Sequence, residues 1–311
     1  MKKFIKKILL LSLILAILYP IFIIIIGEIF GPNQKNLKFI PERSWTKRKL
    51  SEASSYGNID ILFIGSSHAY RGYDIRFFNK FGRSFNLGTT SQTPLQSYFL
   101  LKKFISILNP KYIIIDIYFP LFESDGVESS IDIVSNHISK DNIKLFIMSP
   151  NPIVLNTLIY SYYYNYAKNT TKLKNYSNKF DTYISGGFVE REIQFFANKE
   201  RFFEKNIKIN QIQKKSFEKL IAFIKKKKIK YVIIHSPITK AEYSSYLNTK
   251  ELNDYFESKG FYLNFNEIQI PLYDNIHFYD KHHLNQYGVY IFNKYLAEFL
   301  IEMFPELKNK K

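Results

Sequence analysis

The chain has 311 residues, 46% hydrophobic and 17% aromatic, with no cysteine and a formal net charge of +17. That length gives room for one large or two small domains with a sizeable core, and the missing cysteine excludes a disulfide framework, a thiolate nucleophile and cysteine-ligated zinc or iron–sulfur centres. The charge raises nucleic acid as a partner, but the lysines are scattered. The densest run, 225–228, falls at a predicted helix end where cations suit the macrodipole, so no nucleic-acid partner is expected. Anionic lipid or an anionic envelope polymer accounts for the charge as well.

Lys2, Lys3, Lys6 and Lys7 precede an uncharged, mostly apolar run over 8–27. Its length matches the roughly 20 residues needed to cross the hydrocarbon core. A cleaved signal peptide would carry a shorter apolar region of about 7–15 residues closed by small side chains, whereas Glu28, Ile29 and Phe30 follow here. Residues 1–30 therefore read as an uncleaved, single-pass anchor in contact with the lipid bilayer through 8–27, with Pro20 tolerable inside it. The leading lysines place the N-terminus in the cytoplasm and the body outside the cytoplasmic membrane. Lys35, Lys38, Arg43, Lys47, Arg48 and Lys49, beyond the span, act against that orientation.

Residues 31–57 are polar, carry Pro32 and Pro41, and read as a linker. Then strands and helices alternate. Residues 59–64 predict a strand, 73–81 a short helix, 84–87 a short strand, 92–108 a helix with an apolar stripe at Leu95, Phe99, Leu100 and Phe104, and 112–118 a buried strand. Phe217, Leu220, Ile221 and Ile224 stripe another helix, 231–234 form the next strand, 241–258 a helix, and Phe292, Leu296, Phe299, Leu300 and Met303 mark the last helix. This rhythm predicts a parallel sheet with helices on both faces, built from 58–120 and 207–311. Residues 121–206, rich in Tyr, Asn and Lys, break it and read as a mostly helical insertion. Tyr160, Tyr162, Tyr163, Tyr164 and Tyr166 there either stack on sugar rings or pack the insertion on its neighbours.

The stretch 61–68, ILFIGSSH, ends an apolar strand in a glycine and two hydroxyls. One reading makes the serines a helix N-cap; the other makes one of them a nucleophile, which then needs a base, an orienting carboxylate and oxyanion donors. Near the far end, Asp280 and His283 stand three apart before a helix, a spacing that lets the carboxylate receive the Nδ1 proton and leave Nε2 free. His282 lies outside that register, and His137 and His277 have no argued partner. His68 lines the site or packs beside it. His235 ends a strand on the sheet edge where ligands bind, and either contacts substrate or packs. Asp116, inside an apolar strand, must be paired or near the strand end. No histidine spacing makes a metal site, and no cofactor motif is present.

Three blocks, FIGSSHAY, NLGTTSQT and YDKHHLNQYG, resemble the ordered blocks of SGNH (GDSL-type) hydrolases. The closer resemblance is to membrane-anchored bacterial members that acylate envelope polymers, such as the teichoic-acid D-alanyl transfer protein and exopolysaccharide acetyltransferases. It covers about 59–118 and 209–304. It implies an α/β, three-layer sandwich around a central parallel sheet, on one N-terminal transmembrane helix. Ser67 matches the family's nucleophile, His283 the base, Asp280 its partner, and Gly88 the glycine whose N–H joins that of Ser67 in the oxyanion hole. Ser66 stands where the family has Asp, and the family's Gly-x-Asn-Asp element is replaced by IIIDIYFPLFE. Gln92 is a candidate substitute for that third donor, whose loss costs about 2.7–4 kcal/mol in the transition state. The implied activity is acyl transfer or ester hydrolysis on an envelope polysaccharide or wall polymer through an acyl-serine, with a membrane acyl-donor protein as a further partner. The alternative is a non-catalytic envelope protein that binds glycan or an export-complex partner.

Overall fold

The computed structural model describes residues 1–41, 45–168, 180–197 and 201–309. They form two compact units, Met1–Lys47 with Ser130–Asn175, and Arg48–Ser129 with Tyr176–Lys311.

The first unit is built on α1, Lys2–Phe30, with Pro20 inside it. Among the described residues it is the one helix long and apolar enough to cross a membrane. Leu9, Leu13, Ile17, Ile21 and Ile25 on it are exposed, a surface suited to lipid and not to water. The helix Pro152–Ala167 packs on its second half, started by Asn151, whose side chain accepts the Ile153 N–H. Ile23, Leu37, Phe39 and Tyr160 make the small core. Gly27 admits the Tyr160 ring, since a Cβ there would lie 2.2 Å from Tyr160 Cε2. Tyr19 Oη donates to Asn156 Oδ1 at 2.5 Å. Tyr160 is thus a core residue, whereas Tyr166 is exposed. Residues 169–179 and 198–200, part of the 121–206 region, lie outside the described residues, as does Arg43.

The second unit carries a five-stranded sheet of β1 (Ile61–Ile64), β2 (Ser84–Asn86), β3 (Tyr112–Ile117), β4 (Lys230–His235) and β5 (Tyr262–Asn264). The order is β2-β1-β3-β4-β5, and every pairing is parallel. Parallel strands need apolar residues on both faces, and β1 and β3 supply them, with all their residues buried. Ile61, Phe63, Tyr112, Ile114, Val232 and Ile234 share one cluster with Tyr73, Phe78, Phe292, Leu296 and Leu300. The alternate residues point the other way, where Ile115 and Ile117 meet Pro94, Phe217 and Leu220. One helical layer therefore contains α2 (Ser67–Gly72) and α5 (Gln286–Met303), the other α3 (Pro94–Leu108) and α4 (Gln211–Lys226). This is the α/β sandwich with a central parallel sheet that the strand–helix rhythm predicts.

Each long helix starts where its sequence says it should. Thr93 and Gln96 form a capping box on α3, Asn210 caps α4, and Asn285 caps α5. Lys225 and Lys226 occupy the last turn of α4, beside its carbonyl end. Several short elements go beyond the predicted set, the helix Thr46–Ala53 in the expected linker among them. β5 is a three-residue edge strand, and the hairpin Asp181–Ile184 with Phe188–Arg191 has only four residues per arm. The hairpin braces the start of the site. Arg71 on α2 binds Asp181 bidentately at 2.8 and 2.9 Å, and Asn86 N–H donates to Gly186 O at 2.7 Å. The predicted 241–258 helix is two, Lys240–Ser244 and Thr249–Glu257.

The chain leaves β1 towards β2 on one side and returns to β3 on the other. The carboxyl ends of β1 and β3 therefore flank a switch point in strand order, where open α/β sheets place their ligands.

Candidate active site

β1 delivers the chain to Gly65, whose Cβ, if present, would lie 2.8 Å from Asp116 Cβ and 3.0 Å from Asp116 O. Only a glycine lets the turn pass so close to β3. Ser66 Oγ then accepts the His68 N–H at 3.3 Å and caps α2. Ser67 is the first residue of that helix and remains partly exposed. The capping role thus falls on Ser66, and the serine expected to be the nucleophile, Ser67, is left outside it.

The late block folds into a tight loop. Tyr279 N–H donates to His283 O at 3.1 Å, and Phe278 bridges Leu284. Asp280 Oδ1 accepts the N–H groups of His282 and His283 at 2.9 and 2.8 Å, as short acidic side chains do in turns. Its Oδ2 lies 2.8 Å from His283 Nδ1. Asn285 Oδ1 accepts from Tyr287 and Gly288 N–H. Gly288 admits the backbone of the preceding segment, since a Cβ there would sit 2.2 Å from His277 O. The N-x-x-G that follows the D-x-x-H therefore seats the loop on α5.

His283 Nε2 lies 2.8 Å from Ser67 Oγ, across 216 positions of sequence. An ionised carboxylate only accepts, so the Nδ1 proton belongs to the Asp280 contact and Nε2 accepts the Ser67 O–H. The Tyr279 ring lies parallel to His283, with centroids 5.2 Å apart and planes 2° apart. Burial would raise the Asp280 pKa, but the hydrogen bond and charge of His283, with those of His282, outweigh it and hold the carboxyl below its ordinary value. Beneath Gly65, Asp116 accepts from Tyr73 Oη at 2.8 Å and from Ser236 Oγ. Burial lifts its pKa to about 7, against the pull of those hydroxyls.

The structure revises the other expected site residues. Gly88 is packed where a Cβ would lie 2.9 Å from Ser66 O, but its N–H donates to Asn86 Oδ1 at 3.1 Å and is engaged within its own loop. Gln92 is buried, accepts from Thr89 N–H and Oγ1 at 2.9 Å each, and donates to Ser97 Oγ at 2.9 Å. Its carboxamide pins the loop and is not presented to the serine. His235 has no exposed surface, sits 4.1 Å from the Phe119 ring, and burial depresses its pKa to about 3. It packs and does not face a ligand, because the last residue of β4 points into an aromatic layer. His68 is buried as well, but its Nε2 lies 2.9 Å from His282 Nδ1. Burial, with His283 and His282 nearby, keeps the His68 pKa well below its ordinary value. Burial, with His283 next in weight, brings His282 to about 3. Sequence spacing shows no metal site, yet folding gathers His68, His282 and His283, with one ring nitrogen of each within 4.8 Å of the others.

One residue near the site carried no readable signal. Lys49, in the segment read as a linker, is buried on the helix Thr46–Ala53, with its ammonium donating to Gly88 O and standing 4.3 Å from the centre of the Tyr70 ring. A lysine in a basic, polar run reads as solvated.

No family model matches the sequence, and no curated protein matches it. Among solved structures, the chain is similar to a candidate acylhydrolase from Bacteroides fragilis NCTC 9343, at 11% identity and a TM-score of 0.39, over 84% of this chain and 99% of that one.

Proposed function

We propose that the chain is a membrane-anchored serine acyl-ester enzyme that works through an acyl-serine. The observation that carries the reading is the continuous contact Asp280–His283–Ser67, 2.8 Å at each step. Ser67 Oγ attacks the acyl carbonyl while its proton passes to His283 Nε2, and the Asp280 carboxylate stabilises the imidazolium. The tetrahedral intermediate collapses, the ester bond to the leaving alcohol breaks, and that alcohol takes the proton from His283. An acceptor hydroxyl then gives its proton to His283 and attacks the acyl-serine, and the proton returns to Ser67. The Ser67 N–H serves the oxyanion, and the Gly88 N–H joins it by exchanging Asn86 Oδ1 for the substrate oxygen.

The anchor and the basic body favour an envelope polysaccharide or wall polymer as the acceptor, with water as the default where none is bound. A membrane protein would supply the acyl group. The lysines ahead of α1 favour a cytoplasmic N-terminus and an extracytoplasmic site in the cytoplasmic membrane. The test is hydrolysis of p-nitrophenyl acetate by the full chain in detergent. Turnover that disappears in Ser67→Ala supports the reading; turnover unchanged in that variant, or none in the native protein, refutes it.

One observation favours a second reading. With Gly88 N–H on Asn86 and Gln92 on Thr89 and Ser97, two expected oxyanion donors are engaged. A non-catalytic envelope protein that keeps the fold to bind glycan would tolerate that. It predicts saturable binding of envelope polysaccharide that Ser67→Ala does not change.

A further inference from the structure

Three imidazoles converge beside Ser67. His68 follows the serine on α2, and His282 and His283 come from the loop before α5. His68 Nε2 and His282 Nδ1 are 2.9 Å apart, and one nitrogen from each of the three rings lies within 4.8 Å of the other two. Around a tetrahedral zinc ion with bonds of about 2.0–2.1 Å, ligand nitrogens stand roughly 3.3 Å apart. The first pair is already near that spacing, and the third ring places a nitrogen within 4.8 Å of both.

We propose that His68 Nε2, His282 Nδ1 and His283 Nε2 form a binding site for a divalent transition ion of the zinc class, and that filling it switches the serine off. The second half rests on the serine–histidine reading above; the first half does not.

Three features fit an ion better than a chance cluster. The donors are all imidazole nitrogens, which suit zinc, cobalt, nickel and copper and leave magnesium and calcium, which require oxygen, without ligands. Asp280 takes the Nδ1 proton of His283 at 2.8 Å, the carboxylate–histidine arrangement that orients metal ligands and points the Nε2 lone pair outward. The rings are also held in place. Tyr118 stacks on His282 with planes 19° apart, its centroid is 4.2 Å from that of His68, and Tyr279 lies parallel to His283. Ligands already fixed lose little freedom when the ion arrives. In the metal-free protein a single proton shared between His68 and His282 occupies the short contact, and the ion would displace it. Occupation inhibits because the one lone pair on His283 Nε2 accepts either the Ser67 O–H or the ion.

The test uses the full chain in detergent, stripped of metal and titrated with Co2+, whose visible absorption intensifies on tetrahedral nitrogen coordination, then with Zn2+ as competitor. One ion per chain is expected, displaced by Zn2+ and not by Mg2+. His282→Gln, at a partly exposed position, should weaken binding at least tenfold, and His68→Asn likewise, with thermal melts checking that each is folded. Ser67→Ala should still bind. Zn2+ should also inhibit ester hydrolysis reversibly, with its midpoint displaced upward in His282→Gln. No Co2+ spectrum, or one unchanged in folded His282→Gln, overturns the site. Hydrolysis that requires Zn2+ and survives Ser67→Ala overturns the switch. A native protein that binds Co2+ at these residues but never hydrolyses ester keeps the site and refutes the serine reading instead.

Discussion

His235 and His283 both stand at the carboxyl edge of the sheet, yet their surroundings share almost nothing. At His235 the chain leaves β4 into an aromatic layer of Phe119 and Tyr243, and neither ring nitrogen finds a hydrogen-bond partner. At His283 both nitrogens are engaged, one by a carboxylate and one by a hydroxyl. The difference shows that position on the sheet edge does not make an imidazole reactive. A carboxylate must fix its tautomer and a hydroxyl must reach its other nitrogen.

The largest effect that could break this comparison is on turnover. His283→Ala should lower ester hydrolysis by on the order of 10⁴-fold or more, and Asp280→Asn by ~10²–10⁴-fold through the wrong tautomer, both read as kcat with KM little changed. Turnover that survives either substitution would make His283 no more a base than His235. Next in size is the seat of the loop. Gly288→Ala places a Cβ against His277 O and should cost about 1–3 kcal/mol of stability, seen as a lower Tm, with activity falling alongside.

The smaller effects sharpen the comparison through pH. The His235 pKa falls from 6.5 to about 3, so below pH 6.5 the unfolded chain binds a proton that the folded one refuses. Stability is then lost as pH falls from 6.5 towards 3. His235→Leu should reduce that acid loss in thermal melts and leave stability at pH 8 nearly unchanged or higher, since an unpartnered buried ring is removed. A loss of activity greater than the change in stability explains would return His235 to the site. Asp116 has the opposite sign. Its pKa rises from 3.8 to about 7, so the folded chain holds a proton that the unfolded one releases, and its contribution is lost as pH rises through about 7. Asp116→Asn should therefore make stability climb more steeply between pH 4 and 7 than in the native protein. An unchanged slope would mean that Asp116 is ionised in the fold.

Much of the sheet is legible in the sequence, for a physical reason. β1 and β3 are buried on both faces, so they read as apolar runs, broken in β3 only at Asp116, and α4 and α5 show one apolar stripe each. β5 and the hairpin around Gly186 and Gly187 are too short for any period to emerge, and α2 has only six residues. Within the site, Ser67, Asp280 and His283 are legible because a strand end and a three-residue loop spacing are local features. The closing of their 216-residue gap is written in no local feature and is implied only by the family resemblance. The present engagement of Gly88 with Asn86 and of Gln92 with Thr89 and Ser97 is not legible, because sequence shows a donor without showing which neighbour already uses it. The pairing of His68 with His282 is invisible for the same reason, since nothing in a D-x-x-H register reports the ring that faces its middle residue. Lys49 is hidden because burial of a cation depends on a carbonyl and an aromatic ring from elsewhere in the chain.

The most direct test of the central claim is to treat the full-length protein with an activated acyl ester or a fluorophosphonate, digest it, and locate the added mass. A single adduct on Ser67, absent when His283 is changed to alanine, is the predicted result. An adduct on Ser66 or elsewhere, or labelling of Ser67 that does not depend on His283, would contradict it.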